Sequence, residues 1–297
     1  MSLGWVGVRA ADRLSPNCAV TNSLTRISRA DARRPTAPGA RVPRDVRMGL
    51  SPMKPSETRE PAPLRIDLHA HTRFSLDAAM SPRELVDRAL DAGLDRIAVT
   101  DHGEIEGALE ARAYAPAHVI VGEEIRCEGG TELIGLFLTE RIPQGLPIEE
   151  TVERIRAQGG LVYAPHPYAY ARRPRRHAER SLAVADIVEV FNSRAFYPPW
   201  NRRALRAARA RGLAAAASTD SHFAHELGRA YTEVPAFDGP EGLLRALAHG
   251  TPVAVATASP FIHVASIGLK AVRLLAAPGR YAPGRERPTT VEPLGAD

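Results

Sequence analysis

The sequence predicts an α/β fold in which a largely parallel sheet closes into a barrel. Two observations carry this. From residue 64 onward, short apolar runs alternate with amphipathic helical stretches. The polar residues able to do chemistry collect where those apolar runs end, and in parallel α/β barrels that rim carries the active site.

The elements follow in order. "LRIDLH" (64–69) reads as a strand. "SPRELVDRALDAG" (81–93) reads as a helix. Ser81 is its N-cap, Pro82 its first helical residue, Glu84 completes a capping box, and Gly93 stops it. "RIAVTDH" is a strand and "EIEGALEARAYA" a helix. "HVIVGEEI" and "ELIGLFL" are strands joined by a "GG" turn. "IEETVERIRAQGG" is a helix with a glycine stop, and "LVYAPHP" and "DIVEVFN" are strands. "NRRALRAARARG" is a helix leading into the strand "LAAAASTDSH". "GPEGLLRALAHG" and "PFIHVASIGLKAVRLLA" close the series as helices.

The ends of the chain differ from this core. Residues 1–63 are rich in Arg, Pro, Ser and Ala without periodicity, which predicts a disordered tail. Residues 64–277 form the expected folded domain, and the Pro/Gly/Arg-rich residues 278–297 a flexible end. The net charge of +5 resides in the tail. Residues 1–63 carry eleven basic and five acidic residues, whereas the remainder carries 28 and 29. A near-neutral core offers no strong field for nucleic acid. Cys18 and Cys127 are the only cysteines, so neither a disulfide framework nor a thiolate metal motif exists. No apolar run approaches the ~18–20 residues of a membrane span. A reducing, cytoplasmic setting is the expectation.

Strand-like alternation in "RIDLHAHT" would place Asp67, His69 and His71 on one face and Ile66, Leu68 and Ala70 on the other. Asp101 and His102 end the next strand, Glu123 and Glu124 the third, and His166, Asp220 and His222 later ones. Neutral imidazoles and carboxylates without thiolates form a ligand set for zinc, manganese or iron in a catalytic rather than a structural site. Asp67 is then a candidate to orient a histidine ring. "TDSH" sets Ser221 beside His222, but no "GxSxG" elbow supports a serine hydrolase.

"DLHAHT", "TDH", "GEE", "PHP" and "TDSH", in this order, resemble the PHP family (polymerase and histidinol phosphatase domains) from about Arg65 to Val234. The resemblance implies a distorted seven-stranded β/α barrel that binds two or three divalent ions (Mn, Fe or Zn) and hydrolyses phosphoesters. Residue by residue it implies His69, His71, Asp77, His102, Glu124, His166, Asp220 and His222 as metal ligands. His102, Asp220 and His222 double as candidate catalytic residues. Glu132 stands where several members place a histidine, and it joins the ligands only if it points inward. Its carboxylate and that of Asp77 favour harder ions such as manganese or iron(II).

The implied chemistry is attack of a metal-bridging hydroxide on the phosphorus of a small phosphomonoester, possibly a nucleotide. A histidinol-phosphatase-like enzyme, another metal-dependent hydrolase and a non-catalytic module are the alternatives. Arg73 and Arg194 are the candidate phosphate clamps, with Arg172 and Arg173 behind them. The expected partner is a small phosphorylated substrate. Neither a membrane nor nucleic acid larger than a nucleotide is expected.

Overall fold

A computed structural model describes residues 62–169 and 175–276. The expectations for residues 1–60, for the chain beyond residue 277 and for Arg172 and Arg173 lie outside the described residues.

The first half runs β1 (Leu64–Ala70), α1 (Pro82–Asp91), β2 (Arg96–Val99), α2 (Glu106–Tyr114), β3 (Val119–Arg126), β4 (Glu132–Leu136) and α3 (Ile148–Ala157). The second runs β5 (Leu161–Ala164), α4 (Arg175–Val184), β6 (Ile187–Asn192), α5 (Pro198–Arg211), β7 (Ala214–Ser218), β8 (Ala230–Val234), α6 (Gly239–Leu247), β9 (Thr251–Ala254) and α7 (Phe261–Ala276). The strands form one sheet in the order β7-β6-β5-β4-β3-β2-β1-β8-β9.

Among the described residues this corrects the expected seven strands to nine, and the largely parallel sheet to a mixed one. β1, β2 and β3 are mutually parallel, as are β5, β6 and β7. β4 runs antiparallel to both neighbours because the glycine turn folds it back on β3. Gly129 and Gly130 in that turn have φ of 73° and 88°, the region that favours glycine. β8 and β9, not assigned as strands from the sequence, form an antiparallel pair joined through α6, with β8 also antiparallel to β1. They are five and four residues long, and β9 contains Pro252 and lies at the sheet edge.

The barrel is nearly closed. At the upper end, Asp220 N donates to His69 O and His71 N to Ser221 O, both at 2.9 Å, joining the chain after β7 to β1. Lower down, Thr232 Oγ1 of β8 accepts from Ala217 N at 2.9 Å. The interior holds Ile66, Leu68, Ala98, Ile120, Ile134 and Tyr163, with Leu243 and Leu247 of α6 packed against this cluster. A second apolar layer lies between the outer strand faces and the helices. α1 shows how the sequence builds it. Its buried residues Pro82, Leu85, Val86 and Ala89 follow helical spacing. Ser81 Oγ accepts from Glu84 N at 3.2 Å, a cap worth about 1 kcal/mol.

Candidate metal centre

The rim is where strand alternation breaks, and the breaks aim the side chains. In β1, Ile66 and Leu68 belong to the interior cluster, whereas Ala70 packs in the outer layer with Ile97, Val99 and Leu85. A register shift between Asp67 and Ala70 accounts for this change of parity. His69 and His71 consequently face the rim together, their Nε2 atoms 3.0 Å apart. Asp67 does not share their role. Its Oδ1 accepts from His69 N at 3.2 Å and Thr219 N at 3.1 Å, tying β1 to the end of β7. Burial pushes its carboxyl up to about 7.

The carboxylate that contacts a ligand ring is Glu189 of β6, which the sequence reading passed over. Its Oε1 lies 3.1 Å from His69 Nδ1, and its Oε2 accepts from Asn192 Nδ2 at 3.0 Å and from His166 N. The residue before it but one, Ile187, packs in the interior cluster, so Glu189 shares the inward face. The available signal was a charged residue embedded in the apolar run "DIVEVF".

Alternation also separates Glu123 from Glu124. Ile120 of β3 faces inward, as Glu124 does, while Glu123 turns outward, its Oε2 accepting from Ile142 N at 2.8 Å. Burial, reinforced by Glu104 and Glu106, pushes Glu123 up to about 8. Glu124 enters the cluster with both oxygens engaged. Oε2 lies 3.0 Å from His102 Nδ1, 3.3 Å from His69 Nε2 and 3.5 Å from His71 Nε2. Oε1 lies 3.4 Å from His166 Nε2.

The remaining expected ligands arrive at the same place. Asp220 Oδ1 is 3.5 Å from His69 Nε2 and 3.3 Å from His71 Nε2, and Asn192 Nδ2 donates to its Oδ2 at 3.1 Å. Asp77 Oδ1 is 3.7 Å from His102 Nε2 and 3.5 Å from His222 Nε2. Glu132 Oε2 lies 4.0 Å from His166 Nε2, so Glu132 points inward. It shares the face of Ile134 and Leu136, and the antiparallel course of β4 starts that strand at the rim. His166 and Asp220 hold φ of 26° and 56°, left-handed backbone that side chains rarely adopt.

The loop after β1 is fixed from behind. Asp101 Oδ1 accepts from Thr72 N and Ser75 Oγ, both at 2.7 Å. Ser75 Oγ also accepts from His102 N at 3.0 Å and lies 3.3 Å from His71 Nδ1. Gly107 of α2 permits this knot, because a Cβ there would collide with Asp101 Oδ2 and Thr72 Oγ1. From the far end of the chain, Arg273 Nη1 donates to Ser75 O and Ala78 O at 2.8 Å, bracketing Asp77.

The two expected clamps have different fates. Arg194 is buried, its Nε 3.2 Å from Glu226 Oε1 and its Nη2 donating to Ser266 Oγ at 2.6 Å. Glu226 Oε2 in turn accepts from His222 N at 2.9 Å. These contacts describe a brace behind His222 rather than an open phosphate clamp. Arg73 is exposed and only loosely paired with Glu110 at 3.9 Å. His177 contacts Thr131 Oγ1 and His118 contacts Asp95 O, as structural histidines do.

Among the described residues, four trios of donor atoms, each mutually within 4.8 Å, overlap at the rim. They are His71/His102/His222, His69/His71/Glu124, Glu124/Glu132/His166 and His69/His166/Glu189. The electrostatics call for cations. Burial lowers a histidine, yet His69 is raised by Asp220, Glu189 and Glu124, and His102 is raised to about 10 by Glu124 and Asp77. Burial, His222 and His102 hold His71 well below the usual range. Burial opposes ionisation of Glu124 and Asp220, yet the surrounding imidazoles hold both well below the usual carboxylate range. Asp77 Oδ1 and Glu124 Oε1 are buried and accept no hydrogen bond. Buried carboxylates packed among imidazoles need positive charge, which protons on His69 and His102 supply in the metal-free site and divalent ions would supply in a loaded one, so the donor set fits divalent ions. The His102 side chain is 42% exposed, against 20% or less for the other expected ligands, which marks the mouth of the cleft.

Comparison with known proteins agrees with this geometry. The PHP domain matches residues 67–146, and the PHP-associated region matches residues 198–252. The uncharacterized protein MJ1587 of Methanocaldococcus jannaschii is 38% identical over 143 residues, which is 44% of this chain and 82% of that protein. The uncharacterized protein MJ0417 of the same organism is 36% identical over 180 residues, 57% of this chain and 69% of that one. A crystal structure of a two-domain Bacteroides vulgatus protein, described as containing a predicted PHP-like metal-dependent phosphoesterase, has a similar fold. Its TM-score is 0.54 at 19% identity, over 73% of this chain and 74% of that one. With its motifs at the ends of successive barrel strands and its histidines and carboxylates on one rim, the chain belongs to the PHP domain family.

Proposed function

We propose that this protein is a metal-dependent phosphoesterase that hydrolyses a small phosphomonoester. The observation carrying this reading is Glu124. Its two oxygens face different imidazole groups, His69 and His102 on one side and His166 on the other, so this one carboxylate would serve two cation sites. His69, His71, Glu124 and Asp220 would hold one ion. His102, His222 and Asp77, with His71 beside them, would hold a second, and His166, Glu132 and Glu124 a third. Carboxylates at Asp77 and Glu132 favour manganese or iron(II) over zinc. Such ions, when bound, activate water near neutral pH and neutralise the phosphoryl oxygens.

The chain's own groups supply the rest. Glu189 fixes the His69 ring through Nδ1, so that Nε2 faces the cluster. Asn192 fixes Asp220. Glu226, braced by Arg194, fixes the His222 backbone. Among the expected ligands His102 has the most exposed side chain, which places it at the mouth where a substrate would enter. Arg73, exposed and held only by a 3.9 Å contact to Glu110, could turn to meet a phosphate from outside.

The test is a panel of phosphorylated metabolites assayed with chelator-stripped protein reconstituted with manganese. Release of inorganic phosphate from at least one monoester, absent before reconstitution, is the expected result. Cleavage of diesters or amides alone would reassign the reaction, and inertness toward all of them would remove it.

A further inference from the structure

Helix α7 is amphipathic in the reverse sense. Its polar residues His263, Ser266 and Arg273 face the barrel. Ser266 Oγ accepts from Arg194, His263 Nε2 meets Arg194 O at 3.1 Å, and Arg273 donates to the carbonyls around Asp77. Apart from the buried Ile262 and the half-buried Leu269, its large apolar residues face outward. Phe261 is 81% exposed, Val264 65%, Ile267 68%, Val272 63% and Leu275 84%. A helix on a protein surface ordinarily does the opposite.

The outward face has a seven-residue period: Phe261, Gly268 and Leu275, with Val264 and Ala265 between the first two and Ala271 and Val272 between the last two. That is the 3-4 spacing of a two-helix seam. The pattern is symmetric about Gly268, since Phe261 and Leu275 are equidistant from it, as are Val264 and Val272. A Cβ at Gly268 would meet nothing within 4 Å, so the backbone there is open to close approach.

We propose that α7 is a homodimer interface, with the helices of two copies packed antiparallel about a two-fold axis at Gly268. Phe261 then meets Leu275 of the second copy, and Val264 meets Val272. A self-complementary pattern is what an isologous contact requires. The exposed apolar side chains present on the order of 600 Å², at the upper end of the largest patch on a typical monomer. Adding the helix rims approaches the ~800 Å² per partner of a standard interface. Charge argues against a membrane as occupant. Helices that lie on membranes carry a polar face rich in Lys and Arg. Here that face offers only Lys270 and Arg273, and Arg273 is bound to the 75–78 loop.

Light scattering of the full chain at micromolar concentration should give twice the chain mass. The double variant Val264→Glu, Val272→Glu should be monomeric, with dissociation at least ~100-fold more favoured, because facing positions then carry like charge. Val264→Lys, Val272→Lys should also be monomeric, and mixing the two should restore a dimer. Should either variant fail to fold, Gly268→Cys provides the second readout, as a mild oxidant should link it as a dimer through residue 268. A monomeric wild type overturns the proposal, as does a dimer that survives both substitutions. A wild type that is monomeric and sediments with phosphatidylcholine–phosphatidylglycerol vesicles overturns it in favour of a membrane. A monomer that begins to associate only when residues 1–61 or 277–297 are deleted overturns it in favour of the chain's own ends.

Discussion

The same strands build two regions of opposite character. In the interior, Ile66, Leu68, Ile120, Ile134 and Tyr163 pack without charge. A few residues further along, the rim gathers five histidines with the carboxylates Asp77, Glu124, Glu132, Glu189 and Asp220, two left-handed backbone residues and carboxylate oxygens with no hydrogen bond. The first arrangement follows every local preference of a strand, and the second breaks several of them. Stability should therefore reside in the interior and be largely insensitive to the rim, whereas function should reside in the rim.

The largest effect expected from this division is at the rim. Asp220→Asn should lower metal-dependent phosphatase activity by more than ~100-fold, beyond the ~10–100-fold typical of groups that only orient a ligand. The melting temperature of the chelated protein should fall only modestly, because the lost pairing of Asp220 with His69 and His71 is partly offset by the desolvation the carboxylate no longer costs. His177→Ala is the control and should leave activity unchanged. Loss of folding in Asp220→Asn would break the division between the regions.

The mirror-image change is Ile134→Ala. It should cost about 2–5 kcal/mol in denaturant unfolding, from lost burial and the cavity left behind. Metal content and turnover per folded molecule should remain. A change in metal stoichiometry would show that the interior sets the rim's geometry more tightly than stated here.

Glu189→Gln lies between the two regions. It should weaken metal affinity ~10–100-fold, measured by competition with a chelator, with little change in fold. An unaltered affinity would demote the contact to His69 to simple packing.

The remaining effect is on pH dependence and concerns Glu123, on the outward face. Its carboxyl is raised by burial from 4.5 to about 8. Between those values the folded protein holds a proton that the unfolded chain releases, so stability should fall as pH rises from about 4.5 to 8. Glu123→Gln should flatten that slope in thermal melts of the chelated protein. An unchanged slope would assign the pH dependence elsewhere.

Much of the rim was legible because strand ends are legible. A histidine or acid after a short apolar run is visible without a structure, and each expected ligand reached the one cleft. What stayed hidden required either a break in periodicity or long-range contact. Asp67 shared a parity with His69 on paper, but the register shift between Asp67 and Ala70 reassigned it to the seam. Glu189 sits inside a strand, where an acid reads as a solvated position. Arg273 closes over a loop almost two hundred residues away, and nothing in its own helix signals that. Arg194 stood at a strand end like the ligands, yet Glu226 and Ser266 engage it. β8 and β9 were missed because five and four residues, one of them proline, carry too little pattern.

The central claim is that the rim cluster holds divalent ions on which phosphoester hydrolysis depends. Its most direct test is elemental analysis of the purified protein, paired with p-nitrophenyl phosphate hydrolysis before chelation, after it and on titration with manganese. The account predicts two or three ions per chain, no hydrolysis once they are stripped, and recovery with manganese at least as complete as with zinc. Protein that contains no metal and hydrolyses the ester unchanged in the presence of chelator would contradict it.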